Sequence, residues 1–187
     1  MQEDLNKALE VLRSGGTILY PTDTIWGIGC DACNSKAIEK VYKIKTRGAE
    51  KSLIILADSP EMVRNYVDEL PEVAIELIET FKDPLTIIYN KARNLPRNLT
   101  AADGSIAIRI PKDEFCRQII TMLGRPITST SANISGEPNP FSFHKISAQI
   151  KEAVDYVCVS HQTKVNAPKP STIVKINADG QMQILRS

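Results

Sequence analysis

The chain has 187 residues, which is enough to bury a sizeable core, and residues 1–187 are expected to form one domain. Apolar residues make up 42% and charged residues 24% of the sequence, an ordinary balance that excludes a disordered protein. The net charge of +1 gives no reason to expect strong non-specific binding to nucleic acid, so any anion site must be local.

Nothing in the sequence indicates export or membrane insertion. The N-terminus is charged from Glu3 onward and lacks the basic region and cleavage site of a signal peptide. No apolar run approaches the roughly 18 residues that a membrane-spanning helix needs. A cytoplasmic location with no membrane partner is therefore expected.

Helical and strand patterns alternate along the chain. The predicted helices cover residues 3–13, 34–45, two segments of 60–81 that separate at Pro71, 113–123 and 144–154. The predicted strands cover 17–20, 52–57, 85–89, 105–110, the start of 126–136, 156–160, 172–176 and 181–185, and 21–32 is interpreted as a loop. Because the connections are not uniformly crossover helices, the predicted fold class is α/β, a single domain with a mixed sheet and flanking helices.

The stretch 126–136, PITSTSANISG, is an unusual strand. Ile127 is its main large apolar side chain, whereas a buried strand normally prefers Val, Ile or Phe. Hydroxyl and amide groups in a row offer donors and acceptors to a polar ligand at close range. A Ser/Thr-rich turn would have the same composition, so composition alone leaves both interpretations open.

Several cations gather at the end of the second predicted helix and in the loop after it: Lys40, Lys43, Lys45, Arg47 and Lys51. A solvated helix face with cations near its C-terminus explains Lys40 and Lys43 well. Lys45 and Arg47 flank the point where the helix gives way to the loop. Paired cations in a loop suit a phosphate or a carboxylate, which Arg binds bidentately.

Arg109 lies inside the predicted strand SIAIRIP, between apolar neighbours. A guanidinium in a central strand needs an anion as its partner. That partner is either a structural Asp or Glu or the carboxylate of a ligand, and the sequence pattern does not decide between them.

Several common catalytic motifs are absent. The sequence contains no GxxxxGK[ST] loop, no GxSxG elbow and no HExxH helix. Cys30 and Cys33 form a C-x-x-C that could be a redox or zinc half-site, although free cysteines usually pack as small apolar residues. Any chemistry would therefore rest on positioning and charge stabilisation rather than on a protein nucleophile.

Taken together, these residues resemble one family, the YrdC-like threonylcarbamoyl-AMP synthases. The resemblance covers nearly the whole chain, with its segments in the same order. The matching segments are GGTILYPTDTIWGIGCDA (15–32), VYKIKTRG (41–48), DPLTIIY (83–89), LPRNLTAADGSIAIRIP (95–111), PITSTSANISG (126–136), PSTIVKI (170–176) and the closing QILRS.

The resemblance implies a twisted mixed sheet around a positively lined cavity, the YrdC/RibB-like fold. It also implies a nucleotidyltransferase reaction in which L-threonine, bicarbonate and ATP, with Mg²⁺, give threonylcarbamoyl-AMP and pyrophosphate. A downstream threonylcarbamoyl transferase system would pass the group to the adenosine beside the anticodon of certain tRNAs. Members of this fold are also associated with binding of tRNA or double-stranded RNA.

The same resemblance assigns roles to residues by motif. Lys45 and Arg47 match a K-x-R and are the implied catalytic residues that hold phosphates, and Ser131 and Asn133 match an S-x-N. The full set of implied ATP contacts is Arg47, Lys51, Ser105, Ser131, Asn133, Asn139 and Arg186. The implied threonine contacts are Thr24, Arg109, which would take the carboxylate, Ser129 and Ser171. No protein metal ligand is implied.

The chain also departs from the family pattern. Trp26 stands where Tyr or Phe is usual, Asp83 replaces a Gly, and the usual Pro after Arg47 is missing. The sequence ends just after Arg186, so we expect the extra C-terminal domain of longer members to be absent and the core domain to close the ATP site.

Other functions remain open at this point. The chain could be an RNA- or tRNA-binding module of the same fold, for which near-zero net charge is unfavourable. It could be a diverged paralogue with an altered substrate, although both the K-x-R and the S-x-N are intact. The carbamoyl-adenylate-forming domain of hydrogenase maturation is a further relative, but the zinc-finger-like segments that accompany it are missing.

Overall fold

The structure is a computed structural model that describes residues 1–46, 53–163, 170–177 and 180–187. Its helices are α1 (Gln2–Arg13), α2 (Ser35–Ile44), α3 (Pro60–Arg64), α4 (Glu72–Thr80), α5 (Glu114–Leu123) and α6 (Ala148–Ala153), with a 3-10 turn at Phe143–Lys145. Its strands are β1 (Thr17–Tyr20), β2 (Gly27–Cys30), β3 (Ile54–Leu56), β4 (Leu85–Tyr89), β5 (Ile106–Arg109), β6 (Ile127–Ser131), β7 (Tyr156–Val157), β8 (Thr172–Ile176) and β9 (Met182–Arg186).

The described strands form one nine-stranded sheet in the order β7-β1-β2-β6-β3-β5-β4-β8-β9. Parallel pairings join β1 to β7, β3 to β5 and β4 to β8, and the other pairings are antiparallel. The predicted α/β class with a mixed sheet is therefore confirmed. The Ser/Thr-rich strand β6 lies between β2 and β3 inside the sheet, which supports the strand interpretation of its first half over a turn.

Helices on the sheet bury the faces that the apolar periodicity predicts. In α1 the buried residues include Leu5, Leu9 and Leu12, and the guanidinium of Arg13 donates to the Met122 carbonyl of α5 at 3.0 Å. The second helix begins at an Asn34 N-cap, whose side chain accepts from a backbone N–H of the first turn, as a helix start requires. Within the described residues, no helix combines the length and hydropathy that crossing a membrane would need.

The interpretation of 21–32 as a loop is wrong, because this segment contains the buried strand β2. This strand has the sequence GIGC, so Gly27 and Gly29 alternate with Ile28 and Cys30. Glycine weakens a strand and therefore gives no strand signal in the sequence. Tertiary packing explains the choice: a Cβ at Gly29 would stand 2.2 Å from the Thr128 carbonyl oxygen. Only glycine allows β2 to lie so close to the backbone of β6.

The prediction of one helix over 144–154 is also wrong. The segment divides into the 3-10 turn Phe143–Lys145 and the helix α6, with Ile146 and Ser147 in extended conformation between them. The Ser147 hydroxyl accepts from the Ile150 N–H at 3.4 Å and so begins a new helix. A capping serine inside an apolar periodic stretch was the signal that the sequence interpretation missed.

Candidate active site

One polar cavity lies where several strands of the sheet meet the turn between β1 and β2. Its volume is about 300 Å³, at the lower end of the range for small-molecule sites. The lining includes seven residues predicted as ligand contacts: Thr24, Arg109, Ser129, Ser131, Asn139, Ser171 and Arg186. Residues that are far apart in the sequence therefore converge on one space, as the family resemblance predicts.

The turn PTDT presents Thr24 to the cavity through a local hydrogen-bond network. The Thr22 hydroxyl donates to the Ile25 carbonyl at 2.6 Å and accepts from the Thr24 N–H at 3.0 Å. Both threonines are buried, and Thr24 Oγ1 accepts from Arg109 Nη1 at 3.1 Å. The turn is thus pre-organised, and its second threonine contacts the guanidinium that faces the cavity.

Arg109 is buried at the end of β5, with only 4% of its side chain exposed. Asp23 supplies the structural carboxylate partner, with Oδ1 at 3.4 Å from Nη2, while Asp23 Oδ2 accepts from the Lys112 N–H. No hydrogen bond joins the pair, since Asp23 Oδ1 and Arg109 Nε both lack a hydrogen-bond partner among the described residues. A buried guanidinium with an unused N–H donor beside a cavity is the feature expected of an anion site.

A second guanidinium, from Arg186 of β9, lines the same cavity. Its Nε and Nη2 donate to the Ser171 carbonyl at 3.1 and 2.8 Å, and the Ser171 hydroxyl lies 2.7 Å from that of Thr86. Burial, and then repulsion from Arg109, lowers the pKa of Arg186. Two cations that repel each other across a shared space make the cavity favourable for an anionic ligand.

A register irregularity accompanies Arg186. The pairing of β8 with β9 shifts between Ile173 and Val174, and Ile173 lies opposite Arg186. Bulges of this kind change the direction of side chains near functional sites. The shift coincides with the placement of the Arg186 side chain on the carbonyl of Ser171.

Trp26 forms a wall of the cavity and is only 1% exposed. Its ring packs against that of Phe143, with centroids 4.9 Å apart and tilted by 51°. The Lys151 ammonium lies 4.5 Å from the centroid of the same Phe143 ring. The departure at Trp26 therefore changes the cavity wall, whereas Asp83, the other described departure, is exposed.

Lys45 and the S-x-N residues form a separate cluster beside the cavity. The Lys45 ammonium donates to the carbonyls of Ser131 and Asn133 at 2.6 and 2.5 Å and to Asn133 Oδ1 at 2.9 Å. Ser131 Oγ donates to Asn133 Oδ1, and Asn133 Nδ2 donates to the Glu137 carbonyl. The structure thus joins Lys45 to the S-x-N, but Lys45 and Asn133 point into the loop, and Ser131 alone of these three lines the cavity.

The remaining predicted contacts have different outcomes. Ser105 is buried at the start of β5, the end opposite Arg109, and does not line the cavity. Its N–H donates to Asp103 Oδ1 at 3.0 Å. Arg47 and Lys51 lie outside the described residues and stay predictions.

Sequence reasoning missed three residues that build the site. Thr22 organises the turn, Asp23 pairs with Arg109, and Thr86 lies directly opposite Arg109 in the pairing of β4 with β5. All three lie within segments that carry the family resemblance, PTDT and DPLTIIY. That context was the available signal, and pairing across strands was needed to use it.

The cysteines lie outside this chemistry. Cys30 is buried with Sγ 3.3 Å from the Thr128 hydroxyl, whereas Cys33 is half-buried and donates to the Tyr66 hydroxyl at 3.7 Å. Burial raises the pKa of the Cys30 thiol to about 12 and also raises the pKa of Cys33. A raised pKa lowers the reactivity of a thiol, and neither cysteine lines the cavity, so we assign this C-x-x-C no part in the site.

Comparison with known proteins identifies the family of this chain. The model of the Sua5/YciO/YrdC family, described as "Telomere recombination", matches residues 10–187. The chain belongs to this family. The threonylcarbamoyl-AMP synthase of Pseudoalteromonas translucida is 32% identical over 158 residues, which cover 83% of this chain and 84% of that protein.

Solved members of the Sua5/YciO/YrdC family share the fold. P. abyssi Sua5, crystallised in complex with L-threonine, is similar with a TM-score of 0.82 and 28% identity, covering 97% of this chain. The match covers 53% of the P. abyssi chain, so this chain spans about half of that relative's length. E. coli YciO is similar with a TM-score of 0.86 at 24% identity, covering 100% of this chain and 89% of that one.

Proposed function

We propose that this chain is a threonylcarbamoyl-AMP synthase, which joins L-threonine, bicarbonate and ATP and releases pyrophosphate. The name of the Pseudoalteromonas relative and the threonine complex of P. abyssi Sua5 support this choice of reaction. The observation that carries it is Arg109, a buried guanidinium in the lining of a small polar cavity that Thr24, Ser129 and Ser171 also line.

The amino acid binds with its carboxylate at Arg109. A carboxylate accepts charge-assisted hydrogen bonds from a guanidinium, and Asp23 is placed to hold that guanidinium without hydrogen-bonding it. The hydroxyls of Thr24, Ser129 and Ser171 line the same space and supply neutral donors and acceptors for the substrate's amine and hydroxyl.

ATP is proposed to contact Ser131, Asn139 and Arg186, which line the same cavity. Arg186 supplies positive charge for the phosphates, and Arg47 and Lys51 are proposed to add more. Ser105 does not line this cavity, and its contact with ATP stays a prediction.

The reaction needs no nucleophile from the protein. The threonine amine attacks the carbon of bicarbonate, and loss of water leaves a carbamate. A carbamate oxygen then attacks the α-phosphorus of ATP, the bond to the bridging oxygen breaks, and pyrophosphate leaves. The protein contributes by holding the two substrates in line and by stabilising negative charge with its arginines.

Magnesium is proposed to enter together with ATP. Within the described residues, no group of three or more His, Cys, Asp or Glu side chains could hold a metal ion. The charged side chains on the cavity lining are the cations Arg109 and Arg186, so the phosphate oxygens of ATP are the fitting ligands. Bound in this way, the ion would neutralise charge on the departing pyrophosphate.

The product is a reactive mixed anhydride, which requires an acceptor. We propose that a downstream transferase passes the threonylcarbamoyl group to an adenosine of tRNA, and that binding of tRNA or double-stranded RNA, if measured, is secondary to catalysis. The net charge of +1 supports this order, because it gives the molecule as a whole little attraction for the phosphate backbone of RNA.

The test is pyrophosphate release by the purified protein with MgATP, with and without L-threonine and bicarbonate. Release that requires both additions is the expected result. A folded protein that binds ATP but releases no pyrophosphate would overturn the proposal in favour of a diverged paralogue. RNA affinity that falls steeply with salt in such an inactive protein would indicate the binding module.

A further inference from the structure

We infer that Lys45 is a positioning residue, whose buried ammonium latches the end of α2 to the loop 131–137 instead of binding phosphate. Its side chain is among the largest fully buried ones, and the whole residue is 2% exposed. This assignment rests on the proposed function, because the loop carries Ser131, a proposed ATP contact that lines the cavity.

The donors of Lys45 are already engaged. An ammonium has three N–H donors, and oxygen atoms of Ser131 and Asn133 lie at 2.6, 2.5 and 2.9 Å from Nζ. The Ser131 hydroxyl oxygen is a fourth acceptor, 3.4 Å from the same Nζ. A phosphate could take a hydrogen bond from Nζ only by displacing one of these acceptors.

Backbone contacts strengthen the same connection. The Lys45 carbonyl accepts from the Ser135 N–H at 3.1 Å, so the loop contacts both the main chain and the side chain of this lysine. Thr46, the next residue, has a φ of 49°, a left-handed conformation that is strained for a β-branched residue. Strain at this position is consistent with a turn held in place by the contacts around it.

The latch determines what the loop can present to a ligand. Asn133 Oδ1 accepts from both Lys45 and Ser131 Oγ, and Asn133 Nδ2 donates to the Glu137 carbonyl. Removing the ammonium would take one donor from each of the Ser131 and Asn133 carbonyls and from Asn133 Oδ1, and would break the side-chain connection between α2 and this loop. Loss of Lys45 would therefore disturb Ser131, two residues beyond the threonine contact Ser129.

The direct test observes the side-chain ammonium of Lys45 by NMR in protein labelled with ¹⁵N-lysine, with Lys45→Met used for assignment. The expected signal is present at neutral pH before any ligand is added, because buried, hydrogen-bonded ammonium protons exchange slowly. Addition of MgATP or of inorganic pyrophosphate is expected to produce no coupling between this ammonium and ³¹P. Absence of the signal without ligand, or a ³¹P coupling with ligand, would overturn the proposal that Lys45 holds the loop 131–137 instead of a phosphate.

The kinetic test compares Lys45→Met with Lys43→Met, an exposed lysine in the last turn of α2. Because misplacement of a binding group by about 1 Å can reduce rates 100-fold, Lys45→Met is expected to lower kcat/KM for ATP about 100-fold. Its threonine KM should stay at the wild-type value, and backbone amide signals of 131–135 should shift without ligand. The Lys43→Met variant should match wild type in all three.

The two hypotheses fail in different ways. An inactive wild-type protein would refute the synthase proposal, while the ammonium signal and the pyrophosphate titration would still decide the latch. An equal rise in the ATP and threonine requirements of Lys45→Met, with unshifted 131–135 amides, would refute the latch in an active enzyme.

Discussion

Two buried charged residues, Asp4 and Arg109, differ in how completely the fold satisfies their hydrogen bonds. Asp4 of α1 is 2% exposed and accepts from the Tyr156 hydroxyl and from the Val159 and Ser160 N–H groups at 2.7, 3.0 and 2.7 Å. Arg109 is similarly buried, but in the part of the chain that the structure describes its Nε has no hydrogen-bond partner and its ion pair with Asp23 lacks a hydrogen bond. One charge is fully satisfied by the fold, and the other is left incomplete beside a cavity.

The two residues therefore have different roles: Asp4 stabilises the fold, and Arg109 is proposed to bind a ligand. A satisfied buried carboxylate stabilises the attachment of α1 to the chain around β7, and its removal leaves donors unpaired. An unsatisfied buried guanidinium reduces stability, which the fold tolerates because a ligand anion can complete its hydrogen bonds. Changes at Arg109 should therefore affect substrate binding most, and changes at Asp4 should affect unfolding most.

The largest expected effect is that of Arg109→Lys, which keeps the positive charge but removes the forked donors. Hydrogen bonds to charged groups contribute about 1.5–3 kcal/mol, so the threonine KM should rise roughly 10- to 150-fold. The ATP KM should change much less. Initial rates of pyrophosphate release, measured against each substrate in turn, provide the check.

The control for this variant is Arg117→Lys, at an exposed position of α5. It should leave both substrate requirements unchanged. If Arg109→Lys raised the threonine and ATP requirements equally, Arg109 could not be the carboxylate site.

A smaller effect, on stability instead of catalysis, is expected for Asp4→Asn. The amide presents an NH₂ group to donors that now face a carboxylate, so the free energy of unfolding at pH 7 should fall by about 1–3 kcal/mol. Urea denaturation measures this loss. Glu3→Gln is the matched control, because Glu3 is exposed and forms a surface ion pair with Lys7, which contributes little to stability.

The same variant has a defined pH dependence. Burial opposes ionisation of Asp4, but the hydrogen bonds from Ser160, Tyr156 and Val159 prevail and lower its pKa below the ordinary 3.8. The stabilisation is therefore present above the unfolded-state pKa and disappears as pH falls through the lower folded-state pKa. Wild type and Asp4→Asn should converge in stability in that acid range, and a constant difference at all pH values would contradict the assignment.

The smallest expected effect is that of Trp26→Tyr, which tests a residue shared by the core and the cavity wall. An aromatic pair contributes roughly 0.5–1.5 kcal/mol beyond burial. Weakening the contact with Phe143 should therefore lower the free energy of unfolding, measured by thermal or urea denaturation, by about that amount. The threonine KM should change less than in Arg109→Lys.

Phe143→Leu removes the same ring contact from the other side and is the control for packing. A threonine effect of Trp26→Tyr larger than that of Arg109→Lys would show that the wall, and not the guanidinium, dominates recognition.

Much of the fold could be predicted from the sequence because its local signals agree with its tertiary environment. The α1 periodicity places Leu5, Leu9 and Leu12 on one face, and the structure buries all three. The strand at Gly27–Cys30 could not be predicted in this way. Its Gly29 is required because the backbone of Thr128, in the neighbouring strand β6, lies too close for a larger residue. Local propensity carries no information about such an approach.

The same distinction between local signals and tertiary contacts applies to the candidate site. Sequence and motif alone determined which residue types are present: the paired cations after α2, the hydroxyl-rich β6 and an arginine in a central strand. Tertiary structure alone decided their partners, since Arg109 meets Asp23 and Thr24 across some 85 residues of chain, and Lys45 meets Asn133 across 88. The physical reason is that a charge is recognisable from its residue type, whereas its hydrogen-bond partners depend on which strands and loops the fold brings together.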